Sequence, residues 1–358
     1  MTPKRRPRKP STAFDVAALA QVSQSAVSRT FTPGASVSES TRSKVLAAAQ
    51  KLNYTPNNIA RSLITQKSYI VGVAMTYLDN QFYPEVLQCL SDELGKAGYR
   101  VLLFITHGNS NTDPALEELL RYRVDALVLA STSLSSRLAA ECARVGVPVV
   151  MLNTIDPTSA TPSVCGSNES GGRAIAGYLA AGGHRRFAFI AGAEESSTTR
   201  ERERGYLRRL RELGRDKPMR ERGYYTFDGA AEAMRRLLRR SERPDAVFCA
   251  NDHMAFAAIQ VARGEFCVDV GCELSIVGFD NVEIAKWPGF DLTTYSQPVP
   301  LMVAETIAIL RTLFQGRPLK KAHSEIPGSL VVRGSARVPA WGVRNAADGT
   351  RIWEDADG

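Results

Sequence analysis

The sequence predicts an all-α helix-turn-helix head followed by a two-lobed α/β core built from two doubly wound parallel sheets. Three observations predict it. Positive charge is confined: residues 1–68 hold eleven lysines and arginines against two acids, Asp15 and Glu39, while the rest of the chain, with 34 basic and 35 acidic residues, is nearly neutral. The apolar pattern changes at Tyr69, from short helical stripes to β-rich runs alternating with amphipathic helices. The runs are too many for one small sheet, and a polar, proline-bearing break at 156–161 separates two similar halves.

Residues 1–12 are mainly Lys, Arg, Pro and Ser with nothing to bury, and read as a disordered basic arm. Asp15 stands at the positive end of a first short helix reaching Ala20. Ser23 caps a second helix over 24–30, and Ser38 a third over 39–52. Val16, Leu19, Val22 and Val27 are the expected inner faces of the first pair, with Ala17, Ala18 and Ala20 allowing close approach. Val45, Leu46, Ala49 and Leu52 are the expected stripe of the third. Two short crossing helices on a basic segment fit a helix-turn-helix, whose second helix presents its first turn to base edges in the major groove of double-stranded DNA. That selects Gln24, Ser25 and Arg29 as base readers, because Gln can bond adenine bidentately and Arg guanine. Ser23, Ser28 and Asn57 are expected on the DNA backbone. A generic three-helix bundle is the alternative, and the localised charge favours DNA. The helical domain spans 13–56. Pro56 suits a helix start, so 57–66 forms either a two-turn hinge helix or an ordinary linker with Leu63 packed on the core.

From Tyr69 strands are expected at 70–75, 100–105, 126–130 and 147–152, then at 163–166, 187–191, 224–227, 246–250 and 275–279. Helices fall between them at 83–97, 170–181, 201–213, 230–239 and 253–262. Such alternation implies parallel sheets with right-handed crossovers. The core spans 67–337, with the first lobe at about 67–158 plus 293–320 and the second at about 159–292 plus 321–337. Ligands of these sheets sit at the carboxyl ends of strands, here in the cleft between lobes. The stretch 338–358 reads as a polar, irregular tail without leucine or heptad, so a homodimer is expected rather than a tetramer.

Several classes are set aside. No GxGxxG follows the first strand, Gly172 and Gly177 have phosphate-loop spacing without the following Lys-Ser or Lys-Thr, and neither GxSxG nor HExxH occurs, so the chain is not expected to be an enzyme. The six cysteines and four histidines show no metal-ligand spacing, and no metal or cofactor is expected. The cysteines read as buried reduced thiols in a cytoplasmic protein. No run suits a signal peptide or a membrane span.

The residues also carry a resemblance. Asp15-Val16-Ala17-Ala18-Leu19-Ala20-Gln21-Val22-Ser23, Ala26-Val27-Ser28-Arg29, Val37-Ser38 with Thr41-Arg42, and Asn53-Tyr54-Thr55-Pro56-Asn57 with Ala60-Arg61-Ser62-Leu63 resemble the head and hinge of the lactose-repressor (LacI/GalR) family. The likeness runs on through Val124-Asp125-Ala126-Leu127, Gly183-His184-Arg185-Arg186, Asn251-Asp252, Val277-Gly278-Phe279-Asp280 and Gln297-Pro298, over residues 14–337 in all. It implies a dimeric transcriptional regulator with a periplasmic-binding-protein-like core, a palindromic DNA operator and a small-molecule effector. It also implies paired hinge helices in the minor groove, contacting through Ala60 and Leu63, with Leu63 wedged between base pairs. For the effector it points to Arg200, to Asn251 and Asp280 at strand ends, to Phe82 as the aromatic on the ligand's face, and to Asn153. Capping is the rival role for Asn251 and Asp280, core packing for Phe82, and a solvated charge for Arg200. Arg, Asn and Asp together suit the neighbouring hydroxyls of a sugar, sugar acid or polyol, with a purine as alternative. Two positions depart from the family: Gln21 replaces a glycine, and Ser167 replaces the aspartate before Asn168.

Overall fold

In the computed structural model the described residues are 11–32, 34–55, 67–76, 78–106, 117–118, 120–130, 136–156 and 160–354. The chain divides into two compact units, Met1–Ser68 and Tyr69–Gly358. Among the described residues, the first holds three helices: α1 (Ala13–Ala20), α2 (Gln24–Thr30) and α3 (Glu39–Lys51). Each begins on a side-chain cap. Thr12 and Asp15 form a reciprocal capping box, whose hydrogen bonds hold the Asp15 carboxyl below its ordinary value. The Ser23 and Ser38 hydroxyls accept from Ala26 N and Thr41 N, both at 3.2 Å.

The head's core is Val16, Ala17, Ala20, Val27, Val45, Ala48 and Ala49, with Val22, Phe31, Leu52 and Tyr54 against it. Leu19 and Leu46, expected inside, are 48% and 47% exposed. Short helices crossing this closely bury alanines at the seam, and the two leucines fall one step round the helix. Gln21 does take the left-handed backbone, at φ 52° and ψ 49°. That conformation costs a residue with a Cβ about 1 kcal/mol. Gln21→Gly is therefore expected to stabilise the head by about 0.5 kcal/mol after the glycine's own entropy cost, a gain that thermal denaturation of residues 1–68 would detect as a raised Tm.

The described residues of the second unit form two sheets. The first has order β11-β5-β4-β3-β1-β2. Its strands are β1 (Ile70–Met75), β2 (Arg100–Ile105), β3 (Ala126–Ala130), β4 (Val149–Leu152), β5 (Ser163–Gly166) and β11 (His323–Ile326), all paired in parallel. The second has order β13-β14-β12-β10-β9-β8-β6-β7. Here β6 (Phe187–Ala191), β7 (Met219–Arg222), β8 (Ala246–Cys249), β9 (Ser275–Asp280) and β10 (Thr293–Ser296) run parallel. β12 (Ser329–Val331), β13 (Val343–Asn345) and β14 (Arg351–Trp353) join antiparallel. The helices of this unit are α4 (Phe82–Lys96), α5 (Ser136–Arg144), α6 (Asn168–Ala181), α7 (Ser197–Glu212), α8 (Phe227–Leu238), α9 (Asp252–Gly264) and α10 (Val299–Phe314).

The pairings correct the expected lobe boundaries. Ser163–Gly166 belongs to the first sheet, Thr293–Ser296 to the second and His323–Ile326 to the first, so the chain crosses between lobes after β5, β10 and β11. Which sheet a four-residue strand joins depends on its hydrogen-bond partner, which periodicity does not encode. The strand expected at 224–227 lies instead at Met219–Arg222; Tyr224 and Tyr225 make a left-handed turn and Phe227 opens α8. The tail is not irregular throughout. β13 and β14 form a hairpin that extends the second sheet, and Trp353 is buried edge-on against Tyr178 at 5.8 Å. Its sequence signal is Asp348-Gly349 at the turn. Cys142, Cys165 and Cys249 are buried, but Cys267 and Cys272 are exposed in the loop between α9 and β9. No helix among the described residues is long and apolar enough to cross a membrane.

Candidate functional site

On the head, Ser23, Gln24, Ser25, Ser28 and Arg29 are all exposed, while Val27 and Thr30 of the same helix point into the bundle. The Ser23 cap fixes where α2 starts, and so which side chains stand on its first turn. Ser25 and Arg29, one turn apart, are joined: Arg29 Nε donates to Ser25 O at 3.3 Å. From α3, Arg42 Nη1 donates to Thr30 O at 3.2 Å and ties down the end of α2. Asn57, Ala60 and Leu63 lie outside the described residues.

In the core, a cleft between the lobes is lined by Asn80, Tyr83 and Asn153 from the first and Thr198, Arg202, Tyr225, Asn251 and Asp280 from the second. These side chains nearly meet, leaving about 10 Å³, room for about one water. Asn251 both caps and lines. Its Oδ1 accepts from Met254 N at 3.0 Å at the start of α9, and its Nδ2 is buried without a partner. Asn153 donates through Nδ2 to the Tyr83 hydroxyl at 3.2 Å, and its Oδ1 is buried without a partner. Asp280, at the end of β9, accepts from Gln297 Nε2 at 2.8 Å. Burial raises the Asp280 carboxyl above its ordinary value, and the Arg202 charge pulls it part of the way back.

Three sequence-selected residues thus come together: Asn153, Asn251 and Asp280. Two do not. Phe82 is 1% exposed in the hydrophobic core, and its neighbour Tyr83 faces the cleft instead. Arg200 is exposed, donating through Nη1 to Glu194 O and Glu195 O at 3.2 and 2.7 Å. The cleft arginine is Arg202, 2% exposed. Its Nε donates to Asn168 Oδ1 at 2.9 Å, its Nη1 to Ala250 O, and its guanidinium lies 3.7 Å over the Phe279 ring. The signal was available in the helical period. Thr198, Arg202, Tyr206 and Arg209 recur on one face of α7 and are buried, whereas Arg200 falls about 120° from Tyr206 round the helix.

Asn168, at the start of α6, lies behind the cleft lining and has no counterpart in the sequence reading of the site. It is buried and ties α6 to α7, donating to Glu201 Oε2 at 3.0 Å while accepting from Arg202 Nε. Ser167 stands at the N-cap position of α6 without making a side-chain cap bond.

An exposed helix-turn-helix face on a basic segment, together with a two-lobed core of the ligand-binding type, defines a DNA-binding transcriptional regulator rather than an enzyme. Comparison with known proteins agrees. Residues 12–57 match the family of bacterial regulatory proteins of the lacI type, and residues 176–336 match the periplasmic binding protein-like domain. Catabolite control protein A of Priestia megaterium is 31% identical over 331 residues, 91% of this chain and 99% of that protein. Among solved structures, the lac repressor dimer bound to operator and the anti-inducer ONPF superposes with a TM-score of 0.81 at 30% identity, covering 91% of this chain and 99% of that one. The transcriptional regulator CelR–cellobiose complex superposes with a TM-score of 0.69 at 28% identity, covering 91% and 100%. The chain belongs to the LacI family of transcriptional regulators.

Proposed function

We propose that the protein is a homodimeric repressor of a palindromic operator, and that a small polyhydroxylated effector held between its lobes sets its affinity for DNA. The observation that carries the effector reading is the polar set in the cleft: buried Arg202 and Asp280, with Asn153 Oδ1 and Asn251 Nδ2 lacking partners inside the protein. Buried polar groups want hydrogen bonds, and an unpaired donor and acceptor beside an ion pair suit the hydroxyls of a sugar or polyol. The cellobiose complex of a related regulator and the operator-bound lac repressor dimer lend support. Because the side chains nearly fill the cleft, a ligand must part the lobes to enter. Residues 57–66 join the core to the head, so lobe movement has a covalent route to the DNA-binding unit. The test is an operator titration by fluorescence anisotropy, with and without sugars and polyols that raise the protein's Tm. If no such hit shifts the operator Kd, this reading fails.

Base reading is assigned to Gln24, Ser25 and Arg29, with Ser23 and Ser28 on the phosphates. Replacing Gln24 and Ser25 together is expected to move operator preference by about 1–3 kcal/mol at the base pairs they touch. Lys44→Ala, on α3, should weaken all sequences alike. Selection from random duplexes distinguishes the two effects; an unchanged motif for the Gln24/Ser25 variant would remove these residues from the reading surface.

A further inference from the structure

We infer that the effector of the cleft is an uncharged hydroxylated molecule, and that sugar acids and sugar phosphates are rejected by the charge balance of the cleft itself. This rests on the reading of the cleft as the effector site. Among the described residues lining it, Arg202 is the sole cation and Asp280 the sole anion, and they lie 3.5 Å apart. The other lining groups are amides and hydroxyls.

Both charges are held from the protein side. Arg202 is bonded to Asn168 and to Ala250 O and stacked on Phe279, and Asp280 is bonded to Gln297. Neither can swing away to serve a ligand ion without breaking these bonds in a desolvated place. An anion brought in beside Arg202 would meet the Asp280 carboxylate, and like charges a few ångströms apart away from water repel strongly. A zwitterion fits no better, because the two charges face each other instead of standing apart to receive opposite ends. A hydroxyl suits the arrangement, since it donates to one partner and accepts from another. Asn153 Oδ1 is an unpaired acceptor and Asn251 Nδ2 an unpaired donor.

The experiment is calorimetric titration of the full-length protein with matched pairs: D-glucose and D-glucuronate, D-galactose and D-galacturonate, D-ribose and ribose 5-phosphate. In each pair that binds, the anion is expected to be weaker than its neutral parent by about tenfold or more. The affinity of the neutral member should change by less than about twofold between 50 and 500 mM salt, since no net charge is matched. Asp280→Asn removes the carboxylate while keeping its shape and leaves Arg202 uncompensated, so this variant should shift preference toward the anion by about tenfold. An anion that bound the wild-type protein more tightly than its neutral parent would overturn the inference while leaving the cleft as the effector site. So would an Asp280→Asn protein, folded by circular dichroism, with unchanged preference. If no member of any pair bound and the wider sugar and polyol screen gave no hit either, the polyhydroxylated effector itself would be overturned, and this inference with it.

Discussion

Arg202→Met is expected to destabilise the second lobe by about 3–5 kcal/mol and to abolish the effector's influence on operator binding. Removing one partner of a buried ion pair costs that much because the other charge is left uncompensated in a low-dielectric site. Here the charge left behind is Asp280, already raised by burial and now without the guanidinium that pulls it down. Its folded pKa therefore climbs further above the unfolded value. The native variant then binds a proton that the unfolded chain releases, so its stability is highest in acid and falls as pH rises through the raised folded value. Urea denaturation at pH 5 and pH 8 measures this: the deficit against wild type should be larger at pH 8. Adding Asp280→Asn should restore part of the loss. Arg200→Ala, on the same helix but at the surface, should stay within about 0.5 kcal/mol of wild type and keep the effector response. The assignment of the cleft arginine to position 202 fails if the two variants behave in the reverse way.

Gly205→Ala is expected to cost about 3 kcal/mol or more, although it adds a single methyl group. α6 and α7 pack through reciprocal glycines. A Cβ at Gly205 would stand 2.0 Å from Glu169 O, and one at Gly172 would stand 2.2 Å from Arg202 O. The obstacles are backbone atoms in helices, which cannot rotate aside as a side chain could, so the helices must separate. α6 carries Asn168 and α7 carries Arg202, so separation also loosens the hydrogen bond that positions the guanidinium. Effector affinity should fall together with the urea midpoint. Gly289→Ala is the control: a Cβ there meets nothing within 4 Å, and its effect should stay within about 0.5 kcal/mol. A Gly205→Ala protein with the wild-type midpoint would mean that the helices are not in this close contact.

Much of the molecule is written locally. The basic segment, Ser23 and Ser38 as caps, and the alternation of apolar runs with amphipathic helices are properties of neighbouring residues. The three head helices and most core elements could therefore be read from the chain, and so could the strand-end positions of Asn251 and Asp280. The same holds for the left-handed turn at Gln21, where the resemblance to a family with glycine there pointed to the backbone.

What the tertiary structure alone decided concerns partners distant in sequence. Ser163–Gly166 and His323–Ile326 become one parallel pair in the first lobe because each completes the other's hydrogen bonds across some 160 residues. The hairpin of β13 and β14 joins the second sheet because β12 offers an open edge and Tyr178 a surface for Trp353. The choice of Arg202 over Arg200 came from which face of α7 the pair of glycines presses against α6. The sequence by itself determined which side chains could make a DNA-reading turn and a polar cleft. Packing between elements determined which of them meet, because burial and hydrogen bonding act through space, while sequence patterns report only the period of one element at a time.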